Sequence, residues 1–65
     1  MSPRVEETLA LYERLVARTH PPGRAVALAR RINARIALMT PRELDAYYRG
    51  VREIRKQHHV NDHRN

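Results

Sequence analysis

Apolar residues recur at intervals of three and four along most of the chain, rather than at every second position. Residues with this spacing lie on one side of an α-helix, so the pattern predicts helices and no strands. The widest apolar stripe belongs to the first segment and contains Val5, Leu9, Leu11, Tyr12, Leu15 and Val16. A stripe of this width predicts that the first helix contacts two neighbouring helices.

Two further segments show the same helical spacing. The apolar face of the second segment consists of Ala25, Leu28, Ala29, Ile32, Ile36 and Met39. The apolar face of the third segment consists of Leu44, Tyr47, Tyr48, Val51 and Ile54, and Gly50 weakens that helix locally. In the second segment Val26 and Ala37 extend the apolar character beyond one face. We therefore predict that the second helix lies at the centre of the fold.

Prolines and a capping box separate the three segments. The HPPG sequence that begins at His20 removes backbone donors and opposes helical geometry before each proline, so the first helix is predicted to end near Thr19. In the later TPRE sequence, Thr40 and Glu43 can each accept a hydrogen bond from the other's backbone N–H, and Pro41 suits the first helical position. A third helix is therefore predicted to begin at this point.

These signals define a small all-α protein. The predicted helices cover residues 3–19, 24–38 and 41–58. Short connections favour an antiparallel three-helix bundle that forms one domain over 1–58, with Ser2 as the cap of the first helix. The basic tail over 59–65 is predicted to fray.

The interior of such a chain is small. With 65 residues, no Cys and no Phe or Trp, the chain has neither disulfides nor large aromatic side chains other than three tyrosines to strengthen its core. We therefore predict a homodimer or a higher oligomer. No apolar run approaches the ~20 residues that would span a bilayer, and the sequence MSPRVEE resembles neither a basic leader nor a signal segment. A cytoplasmic location is expected.

The positive charge of the chain is concentrated in its middle. The formal net charge is +6, and residues 14–42 contain seven arginines but no Asp or Glu. Arg24, Arg31 and Arg35 form a row beside the apolar face of the second helix. The third helix carries a second basic face, where Asp45 and Glu53 are spaced to neutralise part of the charge. The second helix contains no acidic residues that could neutralise its arginines in this way.

The arginine row admits two interpretations, and the sequence leaves both open. Its partners within the chain would be the carboxylates of the first helix, Glu6, Glu7 and Glu13. Its partner outside the chain would be a polyanion, because guanidinium groups bind phosphates and release counterions. This second interpretation predicts an accessory or regulatory factor that binds nucleic acid. The predicted contact residues are Arg14, Arg18, Arg24, Arg31 and Arg35.

An alternative function is a protein-interaction module, such as an inhibitor, adaptor or docking domain, that acts through an apolar helical face. A wide apolar stripe on a minimal core favours this alternative. The predicted interaction or oligomer face consists of Leu11, Leu15, Tyr47 and Tyr48. Leu11 and Tyr47 are expected to be exposed on that face.

Catalytic and metal chemistry find little support in the sequence. The chain has no Cys, its one Ser is the predicted cap, and it has no Gly-rich phosphate loop and no catalytic pair of carboxylates. We therefore predict no enzyme activity, no catalytic residues and no cofactor. His59 and His63 have the four-residue spacing of helical metal ligands, with His58 and Asp62 nearby. Because the tail is predicted to fray, no metal site is expected there.

Overall fold

Three α-helices make up the protein in the computed structural model. The backbone is described for residues 2–17 and 19–63, and the side chains are described as far as His58. The helices are α1 (Pro3–Ala17), α2 (Pro22–Ile36) and α3 (Pro41–His63). The described residues form no strand, and the predicted all-α three-helix fold is confirmed.

The ends of the helices differ from the predicted ones. α2 begins at Pro22, inside the HPPG sequence, because a proline in the first turn lacks only an N–H that would have no helical partner. α2 ends at Ile36, where Leu38 and Met39 donate backbone hydrogen bonds to carbonyls only three residues back. α3 continues past residue 58 and reaches His63. The side chains of 59–65 lie outside the described residues, so the expected fraying of this tail stays a prediction.

The central helix is α1, and the prediction that α2 occupies the centre is wrong. α1 packs against both α2 and α3, whereas α2 and α3 approach each other at few points. The apolar positions that suggested a central α2 face solvent, since Val26 is 49% exposed and Ala37 is also exposed. The wide stripe of α1 is the feature that matches a helix with two neighbours.

The direction of each helix follows from side-chain contacts. α2 runs antiparallel to α1, because its last turn lies beside the early turns of α1. α3 runs parallel to α1, because Ser2 contacts Glu43 near the start of both helices and Tyr12 contacts Arg55 further along both. The chain thus runs up, down and up, with the middle segment in sequence placed on one flank of α1.

All three helices contribute to the core. Its buried apolar residues are Val5, Leu11, Leu28, Ile32, Met39, Tyr47 and Val51. Leu11 is 6% exposed and Tyr47 is 2% exposed, so the expectation that these two side chains are exposed is wrong. Leu15 is half-buried, and Tyr48 is 48% exposed. Of the four residues proposed for an interaction face, the two deepest therefore stabilise the fold itself.

Both predicted caps are present. Ser2 Oγ accepts a hydrogen bond from the Val5 N–H at 3.3 Å. In the capping box, the Thr40 N–H donates to Glu43 Oε1 at 3.0 Å and the Glu43 N–H donates to Thr40 Oγ1 at 3.2 Å. The Ser2 hydroxyl also donates to Glu43 Oε2 at 2.9 Å. The two capping groups therefore join the starts of α1 and α3.

Gly50 of α3 lies directly against the side chain of Leu9 on α1. A Cβ added to Gly50 would lie 2.6 and 2.7 Å from the two Cδ atoms of Leu9, which is closer than carbon atoms can pack. No described atom lies within 4 Å of a Cβ added to Gly23. The absence of a side chain at Gly50 thus permits the close packing of Leu9 against α3.

We expect Gly50→Ala to lower the free energy of unfolding by about 1 kcal/mol. The overpacking cost of about 1–3 kcal/mol should exceed the gain of about 1 kcal/mol in helix propensity. In a Leu9→Ala background the same substitution should instead stabilise the protein, because the clash is gone. Chemical denaturation of the four proteins measures both effects. Equal stabilisation in the two backgrounds would show that Leu9 does not restrict this position.

Candidate functional site

The protein has two broad faces that differ in chemistry. Its principal dimensions are 38 × 26 × 14 Å, so the molecule is thin in one direction. α1 lies in the middle, with α2 and α3 packed on its flanks. The two hypotheses drawn from the sequence concern opposite faces of this arrangement.

One face contains an apolar groove between α2 and α3. The groove exists because these helices pack on α1 but hardly on each other, so α1 forms its floor. Its volume is about 280 Å³. The residues that line it are Tyr12, Leu15, Ala29, Ile32, Asn33, Ile36, Tyr47, Tyr48, Val51 and Arg55. No carboxylate belongs to this lining.

Three tyrosines and one arginine form the polar part of the groove. The rings of Tyr47 and Tyr48 meet edge to face, with centroids 5.3 Å apart. Arg55 Nε donates a hydrogen bond to the Tyr12 hydroxyl at 3.1 Å. Burial raises the pKa of the Tyr47 hydroxyl, and the neighbouring Tyr12 and Tyr48 raise it further. Tyr47 therefore keeps its proton and can donate a hydrogen bond.

The Tyr47 hydroxyl has no hydrogen-bond partner among the residues whose side chains are described. In that same part of the chain, every fully buried polar side-chain atom has a partner. Tyr47 as a whole is 2% exposed, and it contributes to the lining of the groove. A donor in this position can bind water or a group that enters the groove.

The row of Arg24, Arg31 and Arg35 lies on the flank of α2 that faces away from the groove. At about 100° per residue, the groove residues Ala29 and Asn33 lie on one side of the buried Ile32, and the three arginines lie on the other side. All three arginines of the predicted row belong to the helix α2, so the spacing on which that prediction rests applies to them.

The members of this row differ in their partners. Arg35 Nη1 forms an ion pair with Glu7 Oε2 at 2.8 Å. Arg24 and Arg31 are exposed, and neither forms an ion pair with any residue that the structure describes. The two sequence interpretations thus each describe part of the row, with one arginine paired within the chain and two facing solvent.

Arg14 lies level with this row. Counting along the antiparallel helices from the Glu7–Arg35 contact puts Arg14 near the level of Leu28. Arg14 also lines a shallow pocket with Glu13, Ala17 and His58. Arg14 is exposed, and His20 Nε2 donates a hydrogen bond to its carbonyl oxygen at 3.0 Å. Arg18 lies outside the described residues. We call Arg14, Arg24, Arg31 and Arg35 the arginine flank.

The basic face of α3 is partly neutralised, as predicted. Arg49 Nη2 pairs with Asp45 Oδ2 at 2.7 Å, and Lys56 Nζ pairs with Glu53 Oε1 at 3.8 Å. All four side chains are well exposed, so these pairs contribute little to stability. Their effect is to reduce the positive potential of α3 relative to that of the arginine flank.

The described part of the chain contains neither a metal-binding cluster nor a membrane-spanning helix. Its His, Asp and Glu side chains form no group of three that could hold a metal ion. The side chains of His59 and His63, which the sequence analysis considered as ligands, lie outside that part. No described helix is long and apolar enough to cross a membrane.

Sequence reasoning did not find the groove, nor the roles of Asn33 and Arg55 in it. The contact between Arg55 and Tyr12 joins residues far apart in sequence, so no local pattern could reveal it. The wide apolar stripe of α1 was the available signal. It predicts two helices packed on α1, and a groove forms between them when they do not contact each other. Comparison with protein-family models, with curated proteins and with solved structures finds no match to this chain.

Proposed function

We propose that this protein is a small, non-enzymatic cytoplasmic factor that binds nucleic acid through the arginine flank. The observation that carries the proposal is the exposure of Arg24 and Arg31 without an ion-pair partner, on a helix that contains no Asp or Glu. Unpaired guanidinium groups on a chain of net charge +6 favour an anionic partner. They can also bind phosphate in a bidentate manner.

The spacing of the arginines suits a polymer of phosphates better than a single anion. Arg24 and Arg31 lie two helical turns apart, which is about 10 Å along α2. Arg14 lies level with the space between them, so the positive charge is spread along the helix. A nucleic-acid strand, with a phosphate every ~3.4 Å of helical rise, can contact all of these positions together.

The arginine flank lacks the features that read base sequence. The most exposed aromatic residue, Tyr48, lines the groove on the opposite face and is therefore not placed to stack on a base bound to Arg24 or Arg31. We therefore expect contacts mainly with phosphates, and affinity that depends on salt more than on sequence. An accessory or regulatory factor fits such binding better than a sequence-specific repressor does.

Glu7 limits the charge that the flank can offer. Its ion pair with Arg35 is exposed, and such pairs contribute about 0–1 kcal/mol to stability. A phosphate can therefore replace Glu7 as the partner of Arg35 at small cost. Removing the Glu7 charge should make Arg35 available and strengthen binding.

We expect the double substitution Arg24→Gln, Arg31→Gln to weaken binding to a labelled duplex DNA or RNA oligonucleotide while the helices stay intact. The slope of log affinity against log salt should become shallower by about one unit for each lost phosphate contact. Glu7→Gln should have the opposite effect on affinity. Fluorescence anisotropy at several salt concentrations measures these changes, and circular dichroism checks the fold.

A matched control removes the same charge elsewhere. Arg49→Gln with Lys56→Gln takes two positive charges from the paired face of α3, and it should weaken binding less than the double substitution on α2. Equal losses from the two pairs would show that net charge alone is responsible. Absence of binding by the unaltered protein at about 50 mM salt would reject the nucleic-acid function.

A second candidate function, a protein-interaction module, is favoured by a different observation. The apolar groove lies on the opposite face, and half-exposed Tyr48 and half-buried Leu15 form part of its lining. A homodimer, also expected from the small core, would compete with a partner protein if it formed through this groove. The two candidate functions concern separate surfaces, so one protein can have both.

A further inference from the structure

We infer that the groove between α2 and α3 binds an amphipathic helix of a partner protein, whose apolar side chains enter the groove and whose carboxylates lie beside Arg55 and Tyr47. This inference rests on the second candidate function, for which it names the partner, and it does not depend on nucleic-acid binding. On α2 the groove residues and the arginines lie on opposite sides of the buried Ile32.

The shape of the groove favours a helix as its occupant. A volume of about 280 Å³ is too small for a whole helix of about 10 Å diameter, but it can hold a few side chains of a helix that lies across the opening. Its walls are two helices that leave a gap above a third. A further helix in that gap would complete a four-helix packing arrangement with a buried apolar seam.

The polar atoms of the groove favour a carboxylate on that helix. Tyr47 is 2% exposed and lines the groove, and its hydroxyl has no hydrogen-bond partner among the described residues. Arg55 uses Nε to bond Tyr12, which leaves its two terminal nitrogens to bind an incoming group. Donors are thus gathered in a groove whose lining contains no carboxylate. An Asp or Glu of the partner would supply the acceptor.

The charge of the chain argues against a second copy as the occupant. In a symmetric dimer formed through the groove, the same surface of each copy would face the other, and the two Arg55 side chains would be brought together. Each copy also carries a net charge of +6. An acidic partner relieves this repulsion, and electrostatic attraction would also speed its association.

Two alanines of α2 provide a matched test. Ala29 lines the groove, whereas Ala27 is exposed and lies one helical turn from both Arg24 and Arg31. Ala29→Glu and Ala27→Glu introduce the same charge into the same helix, on opposite sides. Any difference between the two variants therefore reports on the surface that each one alters.

The probes are three fluorescent helical peptides with the same row of leucines at positions i, i+3, i+4 and i+7, flanked by Glu, Gln or Lys. Anisotropy should show that the Glu peptide binds about tenfold more tightly than the Gln peptide, and the Lys peptide should bind most weakly. Ala29→Glu should weaken binding of the Glu peptide by about tenfold or more, whereas Ala27→Glu should leave the affinity for this peptide unchanged. Binding of the oligonucleotide should instead be weakened more by Ala27→Glu than by Ala29→Glu.

Arg55→Gln tests the proposed carboxylate contact. It should reduce the preference for the Glu peptide over the Gln peptide, while the Gln peptide still binds with unchanged affinity. If Ala29→Glu fails to fold by circular dichroism, Asn33→Glu in the groove and Ala34→Glu outside it form a second matched pair, because both positions are exposed.

Three results would overturn the inference. The first is equal binding of the Glu and Gln peptides by the unaltered protein. The second is equal loss of peptide binding in the two alanine variants. The third is a dimer, seen by sedimentation, that Ala29→Glu dissociates and Ala27→Glu does not, which would identify a second copy as the occupant of the groove. Loss of oligonucleotide binding alone would reject only the nucleic-acid function.

Discussion

Leu11→Ala is expected to remove a large part of the stability of this protein. The Leu11 side chain is 6% exposed and belongs to the core that joins the three helices. Truncation of a buried leucine to alanine costs about 2–5 kcal/mol, because apolar contacts are lost and a cavity remains. The whole stability expected for a domain of 65 residues is about 3–10 kcal/mol. The variant should therefore lose a large share of its stability and unfold at a much lower urea concentration than the unaltered protein.

Leu38→Ala is the matched control for this experiment. Leu38 follows α2 and is 69% exposed, so the same change of side chain removes few contacts. Its effect should stay within about 0.5 kcal/mol. Urea denaturation followed by circular dichroism compares the two variants. Equal shifts in the denaturation midpoint would show that Leu11 does not lie in the core.

The burial of Leu11 shows where the sequence pattern stops being informative. The width of the apolar stripe on α1 indicated two neighbouring helices, and that prediction is confirmed. The same width also fitted an exposed interaction face, which led to the wrong expectation for Leu11. The choice between these outcomes depends on which helix is central, and Val26 and Ala37 pointed to α2. Their exposure shows that an apolar residue on a helix need not be buried.

Features that depend on neighbours in the sequence were predictable. The caps made by Ser2 and by Thr40 with Glu43 involve residues three apart, whose geometry the helix itself determines. The close approach of Leu9 to Gly50 depends instead on how α3 is placed against α1. A propensity scale registers Gly50 only as a weakness, because it contains no information on the neighbouring helix.

The candidate site shows the same division. The row of Arg24, Arg31 and Arg35 follows from helical spacing alone and was found in the sequence. The sequence also limited the internal partners to three glutamates of α1, but it could not select Glu7. That selection depends on the rotation of α1 about its axis and on its register against α2. The groove depends on the separation of α2 and α3, which no single helix encodes.

Glu43→Gln is expected to make the stability of the protein less dependent on pH. The Glu43 carboxylate accepts hydrogen bonds from the Thr40 N–H and from the Ser2 hydroxyl, and it lies 3.5 Å from Arg4 Nη1. These contacts favour the ionised form, so they lower the pKa of Glu43 below its ordinary value of 4.5, with the Thr40 backbone contact as the largest cause. The ionised carboxylate thereby links the starts of α1 and α3.

The direction of the pH effect follows from this lowered pKa. A carboxyl group whose pKa is lower in the folded state stabilises the fold above its unfolded-state pKa, and this contribution is lost as the pH falls through the folded-state pKa. The unaltered protein should therefore be more stable than Glu43→Gln at pH 7. The difference should decrease as the pH falls below about 4.5. Urea denaturation of both proteins over a series of pH values measures it.

Thr40→Ala separates the cap from the charge. It removes the hydroxyl that accepts from the Glu43 N–H, and it should lower the free energy of unfolding by about 1 kcal/mol. The backbone N–H at position 40 still donates to the carboxylate of Glu43, so the pH dependence should persist in this variant. If the difference between Glu43→Gln and the unaltered protein is the same at every pH, the charge of Glu43 does not hold the two helices together. If Thr40→Ala also loses its pH dependence, the hydroxyl rather than the backbone group controls the pKa of Glu43.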